Sequence, residues 1–546
     1  MGNASPGSGL LITGARVYTA DPRRPWAEAV VTRGGLVTFV GSEAGARGLA
    51  AAGSEHLHCE GGLLMPGINE SHVHLSMGSA VLHELDLDGV QTLDALGARV
   101  RAYGAANPNL EWITGYGLSY TPLGHLGQPE RSALDAIVAD RPVFLRAVDF
   151  HSAWCNSLAL ERAGITEGAP LPLPNEVVVD RQGQATGMLK ERQAYGLIER
   201  LWPEPTSEQR DAMLVEAMRY LNSLGITSFQ NMDGDPERLR WFARLRDEGR
   251  LTLRANHYMS MREHFPRERL EEFAALCRQY NDDWNRTNGI KMFIDGVIES
   301  KTAAMLAPYA DGSGETGVPD MDPEAHREIC IAADRLGMEI ATHAIGDRGV
   351  RLTLDAYEAA SQANPGRHQR RHRIEHIETI DPADIPRVGR LGITASMQPL
   401  HAVPNEDPTT APWALLAGPE RARHAFPWRS LSRTGAVLSF GSDWPVVTPD
   451  PRTGIHAAIT RRTRDGEPRG GWFPEQALTL GETLNAYTVG GAHAEGREER
   501  KGMLREGMLA DLTCFDHDLF ALQPAEILHA KVVLTVLDGE VVYRTS

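Results

Sequence analysis

His72-Val73-His74 is the sharpest chemical signal in the 546-residue chain. It follows the apolar run Leu63-Leu64-Met65-Pro66-Gly67. On a strand, positions i and i+2 face the same way, so two imidazoles converge on one point at the strand's end. Neutral imidazole suits Zn²⁺, and three or four such ligands make a site. Alone, the pair reads equally well as two surface or capping histidines. Later β-rich segments end in the same kind of residue: His343 in IATHAIGD, His376 in RIEH and Asp443 in SFGSD. A further segment, IKMFIDG, contains Lys291. A histidine or carboxylate at three further strand ends, added to the pair, predicts a metal site.

The elements that would position these residues alternate between strand and helix. Leu63 to His74 begins a series continued by Ile226 to Met232, Leu251 to Met259, Ile290 to Asp295, Met338 to His343, His372 to His376, Ile393 to Met397 and Val437 to Asp443. Helices fall between several of them. Thr206 to Gln209 is a capping box, Met213, Ala217 and Leu221 share a face, and Gly225 suits the stop. Asp322-Pro323 opens another helix that ends at Leu336-Gly337. Eight strands with intervening helices predict a (β/α)8 barrel, whose site sits at the strands' C-terminal ends. Both chain ends read as β instead: Leu10 to Thr19, Ala29 to Val40 with a Gly34-Gly35 turn, Asp511 to Phe515, and Val532 to Tyr543 turned at Asp538-Gly539. The spacing predicts that the two ends meet in one small sandwich. The long gap from about residue 80 to 205 holds β-like pieces, Trp112 to Gly117 and Pro142 to Val148, and Gly/Pro-rich turns around 164–175. It reads as an inserted subdomain or lid. The domains expected are a β-sandwich of residues 1–65 and 497–546, a catalytic barrel of 66–80 and 205–496, and an insertion of 81–204.

Composition narrows the function. Hydrophobic residues are 42% and charged residues 23%, which excludes a disordered or collagenous chain. Lys plus Arg is 55 against 72 for Asp plus Glu, a net charge of −17 that disfavours a polyanionic partner such as nucleic acid. Five dispersed cysteines without a CxxC pair predict a reducing compartment. The N-terminus has neither a basic nor an apolar leader region, and no run approaches a membrane span. A cytoplasmic location, a small-molecule substrate and no membrane are therefore expected, with a homodimer left open.

The segments PGINESHVHL, RPVFLRAVDFHSAWCNSLAL, KMFIDGVIESKTAAM, HAIGDRGV, RHRIEH, SMQPLHA, GSDWPVVTPDP and GMLREGMLADL together resemble the amidohydrolase superfamily. The resemblance is to its family 3 branch of YtcJ-like hydrolases and N-substituted formamide deformylase, and it covers nearly the whole chain. It implies a metal-bearing α/β barrel beside a β-sandwich, and hydrolysis, usually of a C–N bond. Position by position, it implies that His72, His74, His343, His376 and Asp443 are metal ligands. It implies Lys291 as a bridging ligand, carboxylated on its amine, and one or two divalent ions, zinc foremost. Asp443 would also be the general base on the metal-activated water. His151 would contact substrate or a developing oxyanion. Gln398 and His401 at the rim, Glu191 and Trp444 would contact substrate, and Asp347 and Glu375 would orient ligands. The plainer alternatives are a buried Lys291 paired with Asp295, and an Asp443 that only caps a helix. The chain departs from the family pattern at Asn69, at Gly117-Leu118-Ser119 and at Phe150, none of them a ligand, so the substrate does not carry over.

An aminohydrolase on a heterocycle is the second enzyme reading. Such relatives place Glu three residues after the fifth-strand histidine, where this chain has Gly346, with Asp347 one further. The third is a catalytically inactive binding or assembly protein on the same fold, against which stands the complete ligand set.

Overall fold

At Gly67 the chain passes from one sheet into another, so the expected first segment is two strands. Leu63–Pro66 joins a sheet of terminal strands, and Ile68–Val73 opens the barrel. The computed structural model describes residues 9–120, 130–148, 150–172, 175–203, 205–262, 264–403 and 411–545. Residues 1–8, on which the reading of a leader depends, and 173–174 in the Gly/Pro-rich turns lie outside them.

Eight strands form the barrel: β1 (Ile68–Val73), β2 (Ile226–Gly234), β3 (Arg254–Ser260), β4 (Asn285–Phe293), β5 (Glu339–Ala344), β6 (Arg373–His376), β7 (Thr394–Met397) and β8 (Leu438–Phe440). Each pairs in parallel with the next. The seam between β8 and β1 is held by a Val73–Trp444 bridge. There the Asp443 N–H donates to the His72 carbonyl at 2.7 Å and the His74 N–H to the Trp444 carbonyl at 2.9 Å. The sequence extends the last strand to Asp443; it stops at Phe440, because Asp443 turns into the left-handed region at φ 63°.

Helices cover the barrel as the local signals require. Ser207–Ser223 carries the Thr206/Gln209 capping box and buries Leu214, Ala217, Met218 and Leu221, with Met213 only half-buried. Pro323–Arg335 starts from the Asp322 cap.

The run Leu10 to Thr19 also divides, at Gly14 (φ 83°). Leu10–Thr13 enters a four-stranded sheet of N-terminal strands, and Arg16–Tyr18 enters a six-stranded one. In that second sheet Leu512–Phe515 lies antiparallel to Leu63–Pro66, which pairs with Arg16–Tyr18, so both chain ends share it. Ile12, Val30 and Val37 from the first sheet meet Val17, Leu64, Leu512 and Val536 from the second in one apolar core. The hairpin turns at Gly34-Gly35 and Asp538-Gly539 have positive φ at both central residues, as two-residue turns matched to strand twist require. Between β1 and β2, a mixed six-stranded sheet from Leu85–Asp86 to Glu176–Val179 has apolar clusters of its own. Among the described residues, no helix is long and apolar enough to cross a membrane.

Candidate metal centre

His72, His376 and Asp443 come together from β1, β6 and the turn after β8, with His74, Lys291 and His343 around them; His343 Nε2 is 3.1 Å from the Gly296 carbonyl oxygen. His72 points inward from β1, and its Nε2 lies 3.4 Å from Asp443 Oδ1. His74 Nε2 lies 3.2 Å from the same oxygen, and His376 Nδ1 is 3.9 Å from Asp443 Oδ2. One ligand atom from each of His72, His376 and Asp443 falls within 4.8 Å of the others. The His343 ring is 4.5 Å from that of His376. His376 and Asp443 both hold positive φ, 76° and 63°. Such backbone costs on the order of 1–3 kcal/mol per residue and persists where the surroundings enforce it. Gly441 permits the approach of the two backbones: a Cβ there would lie 2.5 Å from both the His72 backbone nitrogen and Glu70 Oε1.

The donor set fits a metal on its chemistry. Among the described residues, the buried His72 Nε2, His376 Nδ1 and Lys291 Nζ have no hydrogen-bond partner. Buried polar atoms are nearly always partnered, so these three nitrogens in the surroundings of the Asp443 carboxylate fit a bound metal ion. Burial first, then Lys291, holds His72 down to about 4. Burial likewise holds His343 and His376 well below the ordinary histidine value. Neutral imidazoles are the form that binds metal. Burial opposes ionisation of Asp443, but His72, His74 and His376 outweigh it and hold the carboxyl well below its usual range. Burial brings Lys291 down to about 8 against the pull of Glu375 and Asp443. The alternative partner of this lysine is otherwise engaged. Asp295 accepts N–H bonds from Ala304, Ile345 and Gly346 at 2.8–3.0 Å.

Residues around the cluster set its geometry. Glu375 Oε2 is 2.7 Å from His72 Nδ1, and Arg373 braces the same carboxylate. That bond turns Nε2 of His72 toward Asp443. Asp347 is not beside the ligands: it accepts the Leu306 N–H at 2.7 Å and lies 3.4 Å from Arg421. His151 comes from the inserted sheet, with its ring 5.8 Å from that of His343. Glu191 Oε2 holds its Nδ1 at 2.9 Å, and the Glu191 N–H donates to the His151 carbonyl. Gln398 is 1% exposed, and among the described residues neither of its amide atoms has a hydrogen-bond partner. His401 stacks on His376 at 6.0 Å, with Nδ1 3.6 Å from Glu378 Oε1. The Trp444 indole packs on Gly78 and Tyr220 rather than on the ligands.

Two carboxylates escape the sequence reading. Glu70 precedes His72 by two residues on the same face of β1 and accepts the Ser442 N–H at 2.7 Å. Burial pushes it up to about 8. Its alternation with His72 and His74 is the signal that could have found it. Asp233, at the end of β2, stands 3.9 Å from His74 Nδ1 and 3.6 Å from Arg238. Its place at a strand's C-terminal end was the available cue.

The family model described as amidohydrolase family matches residues 57–543. The protein LONG AFTER FAR-RED 3 of Arabidopsis thaliana is 30% identical over 98% of this chain and 91% of its own length. N-substituted formamide deformylase of Arthrobacter pascens is 26% identical over 98% of both. A solved structure of a metal-dependent hydrolase from Pyrococcus horikoshii OT3 superposes with a TM-score of 0.73 at 25% identity, covering 95% of this chain and 99% of that one. With a matched family model that covers every strand of the barrel, the insertion and the C-terminal strands, the chain belongs to the amidohydrolase family.

Proposed function

We propose that this protein is a metal-dependent hydrolase that cleaves an amide or related C–N bond of a small molecule. The observation that carries this is the grouping of buried ligand atoms of His72, His376 and Asp443 within 4.8 Å of one another at the C-terminal ends of the barrel strands. His72, His74 and Asp443 would hold one ion, and His343 and His376 a second. Lys291 would lie between them as its N6-carboxylate. Imidazole and carboxylate donors favour Zn²⁺. When bound, such an ion activates water at neutral pH and polarises a carbonyl oxygen.

The side chains do the rest. Asp443, ionised and facing the imidazoles, accepts a proton from the attacking water on its carboxylate and passes it to the leaving amine nitrogen. Lys291 supplies an amine with its proton affinity lowered by burial, the form that adds CO₂. Glu191 orients His151 through Nδ1, which suits His151 to meet the substrate's carbonyl oxygen. Gln398 offers one donor and one acceptor to a substrate amide, and His401 lies beside it. The insertion of 81–204 thus contributes to the mouth of a barrel of 66–80 and 205–496, with 1–65 and 497–546 as the sandwich that braces it. The compartment we infer is cytoplasmic, on the sparse and dispersed cysteines.

Gly346 supports amide hydrolysis over deamination. A Cβ at this position would lie 2.0 Å from the Ala304 carbonyl oxygen, so the glutamate that heterocycle deaminases place there has no room.

The test is a hydrolysis screen of Zn²⁺-loaded protein over N-formyl amines, N-acyl amines, cyclic amides and esters. Release of amine from at least one amide class is expected, and hydrolysis of esters alone would overturn the C–N assignment. Incubation with ¹³C-bicarbonate should add a carbamate carbon resonance that Lys291→Ala lacks; its presence in both proteins would remove the carboxylation. Gln398→Leu removes a buried amide that the protein leaves unpaired, a penalty of about 1–3 kcal/mol. A higher Tm is expected with a KM raised about tenfold or more, in line with the loss of a hydrogen-bonded contact. A KM equal to wild type would remove Gln398 from substrate binding.

A further inference from the structure

A single phenyl ring lies between the metal cluster and an arginine that takes no part in it. Arg262 follows β3, at the face of the barrel that carries the site. Its guanidinium carbon stands 4.4 Å over the centroid of Phe293. The same ring has Lys291 Nζ at 4.7 Å and the His343 ring at 5.1 Å. The Arg262 side chain is 25% exposed, and its ion pair with Asp320 is long, 3.9 Å. Asp320 is itself tied to β4 through its N–H to the Ile294 carbonyl at 2.8 Å. Burial first, and then the neighbouring Arg192 guanidinium, hold Arg262 below the usual arginine range, although Asp320 and Glu191 pull the other way.

A mostly buried guanidinium whose one ion pair among the described residues is long is poorly compensated for the water it has lost. Its planar fork is built to take a carboxylate through two parallel N–H bonds. The stack on Phe293 holds the guanidinium beside the ring that Lys291 and His343 also touch. On a chain of net charge −17, an anionic substrate also needs a local cation to enter the mouth.

We propose that Arg262 determines specificity by pairing with a carboxylate on the substrate. The substrates are then amides that carry a carboxylate close to the scissile bond, the N-acyl amino acids. This rests on the amide-hydrolase reading above. The competing role for Arg262 is a prop for Phe293 alone, which treats charged and neutral substrates alike.

Matched pairs separate these outcomes: N-formyl and N-acetyl derivatives of alanine, leucine and phenylalanine, each beside the same amide lacking the carboxylate. Zn²⁺-loaded wild-type protein should prefer the carboxylate members by about 10- to 100-fold in kcat/KM, chiefly through KM, the size of a hydrogen bond to a charged group. In Arg262→Met, which keeps an apolar stack on Phe293, that preference should fall to near one with metal content unchanged. Arg262→Lys, with charge but no fork, should lie between. A wild-type preference near one, or the same preference in Arg262→Met, overturns the carboxylate assignment and leaves amide hydrolysis standing. Equal losses on both members assign Arg262 to propping Phe293 and also overturn it. Absence of hydrolysis across every pair and the wider amide screen overturns the hydrolase reading itself, and this proposal with it.

Discussion

Asp443→Asn will lower turnover by about 10²–10⁴-fold, the loss typical of a general base. The substitution keeps the size of the side chain and one oxygen, but it removes the negative charge and the proton acceptor. In the native site that carboxylate faces His72, His74 and His376 at 3.2–3.9 Å and is held ionised against the penalty of burial. Weaker metal binding will add to the loss. Substrate affinity should change far less, because the residue acts on the attacking water. If Asp443 were only a helix cap, Asn would replace it well, given the similar cap ranking of the two residues. Steady-state turnover of the metal-loaded variant distinguishes the two. More than about a tenth of wild-type activity, well above the smallest general-base loss, would move the base role to His151 or His401.

The second large effect is on the metal itself. His72→Ala or His74→Ala will abolish hydrolysis and lower the bound metal, with the barrel still folded. His72 occupies the centre of the cluster: its Nδ1 is fixed by Glu375 and its Nε2 is left without a hydrogen-bond partner. Removing the imbalance of a buried imidazole leaves the Arg373–Glu375 pair in place, so the scaffold keeps its main polar brace. Metal content per chain and a cooperative melting transition, measured on the same sample, check both halves. Near wild-type activity with full metal loading would sink the ligand assignment.

The barrel and the meeting of His72, His376 and Asp443 in it were legible in the sequence for one physical reason. These residues lie at or near strand ends, and a strand's apolar run followed by a histidine or aspartate is a local pattern. His343 on β5 and His376 at the end of β6 stand where that pattern puts them. Boundaries were less legible where the backbone turns abruptly. Gly14 and Gly67 each divide what reads as one strand, and the left-handed Asp443 ends β8 early. The particular side-chain pairings between elements were less legible still. The bond from His151 to Glu191 joins residues 40 positions apart, and Glu375 meets His72 across 303 positions. Glu70 and Asp233 gain their surroundings only when β1 closes against β8 and β2. Trp444, beside a ligand in sequence, turns its indole toward Gly78 and Tyr220 because the Val73–Trp444 bridge places it on the seam.

Removal and return of the metal is the most direct measurement. Protein stripped by a chelator and dialysed should release no amine from N-formyl or N-acyl amines, and one or two equivalents of Zn²⁺ should restore release in proportion to the metal bound. Equal hydrolysis by the stripped and the loaded protein, or no uptake of Zn²⁺ by a folded chain with His72, His74 and Asp443 intact, would contradict a metal-dependent site at this barrel mouth.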